Sequence, residues 1–214
     1  MRIFLGSLFF LVFCSSSSIA QQESRNNRLF EAISPYEDLT EYALADDAFE
    51  VEKSIQPLRD SAVSLRSLIS AQAMEILKNN IQKIVEAEKK HDFAAIALYA
   101  VNSYRTLIDQ LDGEDLSVPR EVAVLDFIGF NIHALLKQET MDWKLINDLV
   151  QEGNSQWTAI RKNVSETGLR DSMDTAINGL QNASKLKNME MLRFAAQVDL
   201  DLVDLLEGYF EDLN

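Results

Sequence analysis

Within the segment LDFIGFNIHALL, Asp126, Gly129 and His133 stand three and four residues apart. On a helix of 3.6 residues per turn they share one line. A carboxylate and an imidazole on one line suit proton transfer or metal ligation. Gly129 removes side-chain bulk between them, at a cost of about 1 kcal/mol relative to alanine. The pattern predicts a notch where a ligand, an ion or a neighbouring helix approaches Asp126 and His133. Close helix packing with satisfied polar groups is the simpler outcome.

Two further polar residues break an apolar pattern. Around Asp199, the residues Leu192, Ala195, Leu202, Val203 and Leu206 form one helical face with Asp199 at its centre. Tyr104 has the same place among Ala97, Ala100, Leu107, Ile108 and Leu111. A buried carboxylate without a partner is costly or takes up a proton. Asp199 therefore needs a donor, for which Tyr104, His133, an arginine, a ligand or water would serve. A buried tyrosine needs a partner only for its hydroxyl. Asp126, Gly129, His133, Tyr104 and Asp199 are the ligand-binding candidates, and His133 with Asp126 is the candidate metal pair.

Other chemistries find little support. The chain has two histidines and one cysteine, Cys14, and no His-x-x-x-His pair. No nucleophile-elbow motif surrounds a serine, and the seven glycines do not cluster into a phosphate-cradling loop. No catalytic residue is assigned. No cofactor is expected, with a metal ion as the alternative. The net charge of −14 disfavours nucleic acid, whose phosphates need Lys and Arg, and tolerates cationic partners.

The elements that must position these residues read as helices. Ala, Leu, Glu, Asp, Gln, Lys and Asn dominate, and no alternating strand pattern is bounded by turns. The spacing predicts a short helix over 36–44 and a second over 48–70, bent or restarted at Pro57. Further helices are expected over 71–90, 93–111, from Pro119 through the quoted segment, and over 143–164, 169–186 and 188–210. Asp46, Asp47, Asp92 and Asp142 are candidate caps. Pro35, Pro57 and Pro119 lie near expected helix starts. Gly113 is the expected stop of the fourth helix. Trp143 and Trp157 share one side of the sixth, where core packing is the simple role.

A shift of 95 residues lays ALYAVNSYRTLIDQLDG on LRFAAQVDLDLVDLLEG and pairs Asp47 with Asp142 and Ser70 with Ser165. Pseudo-repeats over about 47–113 and 142–208 follow. The fold class expected is an all-α antiparallel helical bundle, two duplicated αα units plus an extra central helix. Segment 21–35 reads as a flexible lead, and 36–214 as a single domain.

The chain opens MRIFLGSLFFLVFCSSSSIA. Arg2, the apolar run to Phe13 and small residues before Ala20 read as a secretory signal peptide, residues 1–20. The run is far short of the roughly 20 residues of a membrane span, and no transmembrane segment is expected. Cleavage after Ala20 predicts a periplasmic or secreted protein. A lipoprotein tethered through Cys14 is the alternative, and the only route to a membrane anchor.

In helix count, export and length this architecture looks like the exported four-helix haem bundles of the cytochrome b562 and cytochrome c′ types. It shares no motif with them. There is no Cys-x-x-Cys-His, and the last helix holds no histidine. The functional expectation is an exported, acidic helical bundle that binds a protein or small ligand without chemistry of its own. The alternative is a metal- or cofactor-binding bundle built on a buried His/Asp cluster.

Overall fold

The computed structural model describes residues 16–113 and 116–213. Among them are eight α-helices and no strand, which bears out the all-α bundle. The helices are α1 (Ser16–Leu44), α2 (Ala48–Ser64), α3 (Ala71–Glu88), α4 (Phe93–Ile108), α5 (Arg120–Leu136), α6 (Trp143–Ile160), α7 (Thr167–Leu186) and α8 (Met189–Glu211). One-turn 3-10 helices, Leu65–Ser67 and Arg161–Asn163, follow α2 and α6. The run Ile3 to Phe13 and Cys14 lie outside the described residues. No helix among those described is long and apolar enough to cross a membrane.

Asp47, Asp92 and Asp142 cap at the expected helix starts, whereas Asp46 takes the left-handed turn and pairs with Lys137 instead. Asp47 Oδ1 accepts from the backbone of Phe49 and Glu50, and Asp92 Oδ1 from that of Ala95. Asp142 Oδ1 accepts from Lys144 and Leu145. Ser70 and Asn188 cap α3 and α8. Each carboxylate or hydroxyl satisfies amide groups that have no partner inside the helix.

The N-terminal segment departs from expectation. The stretch 21–35, read as a flexible lead, belongs to α1. Its register is set by Leu29, Ile33, Tyr36, Leu39 and Ala43, all buried. The polar residues ahead of them also find partners. Arg25 donates to the carbonyls of Leu68 and Gln110, both at 2.9 Å, and pairs with Asp112 at 3.3 Å. Asn26 exchanges hydrogen bonds with the backbone of Asp112. Composition signals flexibility when polar groups lack partners, and these partners come from 43 to 87 residues away. Pro35 and Pro57 lie inside α1 and α2, not at their starts, while Pro119 caps α5 as expected.

Helix α1 packs on α4, α2 and α5, and α4 packs on α3. In the same way α5 packs on α8 and α6, and α8 on α7. The order of contacts is alike in the two series: α5 contacts α6 and α8 as α1 contacts α2 and α4. Only Arg120, Glu121 and His133 of α5 escape full burial. Arg105 of α4 ties the middle together. It pairs with Glu152 of α6 at 2.7 Å and lies over the Phe127 ring of α5. Trp157 is buried and donates to Asp174, which also holds Arg161 through two contacts at 2.7 and 2.6 Å.

Among the described residues three turns hold a left-handed residue, and none of the three is glycine. Asp46, His91 and Lys187 have φ of 57°, 52° and 50°. Gly113 and Gly208 do not adopt positive φ, and α4 stops at Ile108 before reaching Gly113. The expected glycine stop is therefore corrected: the left-handed positions at the ends of α3 and α7 are held by His91 and Lys187. Side chains at such positions cost about 1 kcal/mol relative to glycine. His91→Gly and Lys187→Gly are each expected to raise stability by about 1 kcal/mol in urea denaturation. An unchanged or lower midpoint would show that neither turn is strained.

Candidate functional site

The five residues singled out from the sequence lie along α4, α5 and α8, but in separate groups. The first group is a hydrogen-bonded pair. The Tyr104 hydroxyl donates to Asp126 Oδ2 at 2.6 Å, with the Ala123 carbonyl 3.3 Å away. Both side chains are buried. Burial, then repulsion from Glu37, pushes the Asp126 carboxyl well above the usual carboxylate range, while the Tyr104 hydrogen bond acts the other way. The Tyr104 hydroxyl is raised by burial and by the Asp126 carboxylate.

The second group is a packing contact. A Cβ placed on Gly129 would lie 2.6 Å from Leu200 Cδ2 and 3.5 Å from Asp199 Oδ2. The notch exists, and its occupant is the side chain of Leu200 from α8. Asp199 is wholly buried beside it, and neither of its oxygens has a hydrogen-bond partner. Burial alone pushes its carboxyl up to about 7. Of the donors expected for it, Tyr104 is committed to Asp126 and His133 makes no bond to it.

His133 stands apart, part-buried, with Nε2 unpartnered. Burial and then the Arg193 charge lower its pKa. Asp126 and His133 share a helix face, yet the Leu200 side chain enters between them at Gly129. Among the described residues, no group of three or more His, Asp or Glu side chains could hold a metal ion.

The packing adds carboxylates that helical spacing did not single out. Glu37 of α1 is repelled by Glu207, Glu41, Asp38 and Asp204. Burial and that repulsion push it up to about 7. Burial and repulsion also raise Glu41, Asp204 and Glu207. The C-terminal half of α8 with its cap Asp212, DLDLVDLLEGYFED, carries six carboxylates and no cation. Like charges from α1 and α8 therefore crowd near one another. Glu37 was legible as an acid but not as a partner of Asp126, since only the tertiary fold brings α1 beside α5.

Beside this acidic ridge lies a groove of about 650 Å³ between the start of α7 and the end of α8. Its apolar lining includes Leu169, Leu202, Leu205 and Leu213, and Glu166, Asp204 and Asp212 stand at its rim. Leu205 and Leu213 are 59% and 61% exposed. Gly168 and Gly208 keep side-chain bulk out of the groove, and a Cβ on Gly208 would meet nothing within 4 Å.

The arrangement can store protons and present an acidic, apolar surface. Gly129→Ala drives a methyl into Leu200 and is expected to cost about 1–3 kcal/mol in chemical denaturation. Leu200→Ala in the same chain should recover part of that loss, and strict additivity of the two would contradict the contact.

A stability–pH profile should also be shifted to the acid side. A carboxyl raised in the fold holds a proton that the unfolded chain has released. Stability contributed by protonated Glu37 and Asp199 is complete below about pH 4 and declines as pH rises toward 7. Asp174 acts oppositely. The Arg161 and Trp157 hydrogen bonds lower it to about 2, and its stabilisation is lost as pH falls from about 4 to 2. Thermal melts should peak on the acid side of neutrality, and Asp199→Asn should flatten the decline between pH 5 and about 7. A maximum at or above neutral pH would contradict this balance.

Comparison with protein-family models, with curated proteins and with solved structures finds no match to this chain.

Proposed function

We propose that this protein is an exported interaction module, without catalytic activity of its own, that docks a partner on its α7–α8 face. The observation that carries the reading is the α7–α8 groove, with Leu205 and Leu213 exposed beside uncompensated carboxylates. Large exposed aliphatic side chains in a groove favour an apolar partner surface. The crowded acids of α1 and α8 favour a cationic one, since a nearby positive charge would relieve their mutual repulsion. The partner class is therefore a cationic, amphipathic protein segment. Such a segment lays its apolar face in the groove and its cations on the rim.

Export is part of this reading and rests on the N-terminal sequence. The chain is also read as internally duplicated. The matched caps and the repeated order of packing, α1–α4 and α5–α8, support that origin.

A designed amphipathic helix of leucine and lysine serves as the probe. It should bind by titration calorimetry and weaken as salt rises. The matching leucine and glutamate helix should not bind. Leu205→Asp should weaken the lysine helix at least about tenfold, a loss of about 1.4 kcal/mol. Equal binding of both helices, or no effect of Leu205→Asp, would remove the α7–α8 face from consideration.

A further inference from the structure

The acidic face has a counterpart on the same chain. Between α2 and α3 runs a shallow groove whose centre is lined by Arg59, Ala62, Arg66, Met74, Lys78 and Ile81. It continues toward Lys89 at one end and toward Ile69 at the other. Its floor is apolar, since Ala62, Met74 and Ile81 reach the surface there only in part. At its centre the rim is cationic, and Glu75 and Glu86 stand farther along it. Arg59, Arg66 and Lys78 are exposed and make no ion pair or hydrogen bond among the described residues. In a chain with 34 acidic and 20 basic residues, three unpaired cations around one apolar groove stand out against the overall charge.

This groove has the properties required of a partner for the α7–α8 face. The α7–α8 face exposes leucines, the α2–α3 groove has an apolar floor to receive them, and their rim charges are opposite. Arg59, Arg66 and Lys78 would meet Glu166, Asp204 and Asp212, while Leu205 and Leu213 would meet Met74 and Ile81. Cations with no internal partner and carboxylates that repel one another both gain from that contact. The grooves are open and shallow, which suits a helix ridge better than an enclosed small molecule.

We propose that the α7–α8 face of one copy docks on the α2–α3 groove of a second copy, joining the chains head to tail. The proposal rests on the reading of α7–α8 as a docking face and names its partner. The two surfaces differ, so the contact is heterologous. Each copy that joins one neighbour still offers its other face to a third. Assembly then grows with concentration, as a ring or an open chain.

Sedimentation velocity of the purified protein, in the form its host processes, tests this. At low ionic strength the sedimentation coefficient should rise with concentration. At about 1 M salt, where charges are screened beyond roughly 3 Å, the protein should sediment as single copies. Two surface variants make the test specific. R66E with K78E reverses the cationic rim, and L205D spoils the apolar ridge of α8. All three positions are exposed, and circular dichroism should report native helicity for both variants. Each variant alone should remain a single copy at low salt. Mixed together they should form pairs and nothing larger, because each supplies the one face that the other has lost.

Wild-type protein that stays single at every concentration in low salt overturns the proposal. So does a charge-reversed variant that assembles like wild type. If the single-copy wild type still binds the leucine and lysine helix, and L205D does not, head-to-tail assembly is refuted and the α7–α8 docking reading stands. If that helix fails to bind as well, both fall.

Discussion

The bundle depends on the near-complete burial of α5. A helix surrounded on most sides must place each polar group against a partner or bear the desolvation cost. In α5 that condition selects the neighbours. Asp126 requires a donor, and Tyr104 of α4 supplies it. Gly129 admits Leu200 of α8 at a distance that any larger residue would forbid. Arg105, lying over Phe127 and paired with Glu152, fixes α4 and α6 on another side. The positions of α4, α6 and α8 thus follow from which side chain of α5 each must accommodate.

The carboxylates show how two structural requirements meet in one region. The α1–α4 and α5–α8 halves meet through α1, α4 and α5, and α8 packs on α5. Glu37 from the first half and Glu207 and Asp204 from the second therefore come near the Tyr104–Asp126 pair. The charge repulsion is held in place by the apolar burial of Leu29, Ile33, Leu200 and Val203 on the same helices. Each buried aliphatic side chain contributes about 1.5–3 kcal/mol. Hydrophobic packing on that scale tolerates acids that would otherwise drive α1 and α8 apart.

Much of the fold was legible in the sequence because its signals are local. Caps at Asp47, Asp92 and Asp142, and the apolar period after them, locate the starts of α2, α4 and α6. The isolated placement of Asp199 on an apolar face was also legible, since a helical wheel needs no tertiary information. What the sequence hid was long-range. Arg25 and Asn26 look like a frayed lead until the end of α4 arrives beside them. Convergence of Asp126, His133 and Asp199 could not be tested by spacing, and Leu200 entering at Gly129 separates them in space. The exposed Leu205 was hidden for a different reason. A wheel divides α8 into a core side and a polar side, whereas the folded helix carries an outward apolar ridge as well.

The clamp at the start of α1 has a consequence for the order of folding. Arg25 and Asn26 hold residues that follow them by more than eighty positions, and the main packing partner of α1 is α4. As the chain emerges from its N-terminus, α1 is complete first but has to wait while α2 and α3 are made. Throughout that interval Leu29, Ile33, Tyr36 and Leu39 lack the surface that will cover them. Closing so long a loop delays the reward for an early helix. Helix α1 is therefore made ahead of α2–α4 yet secured only when α4 arrives, and its apolar face needs protection from premature association in the interval.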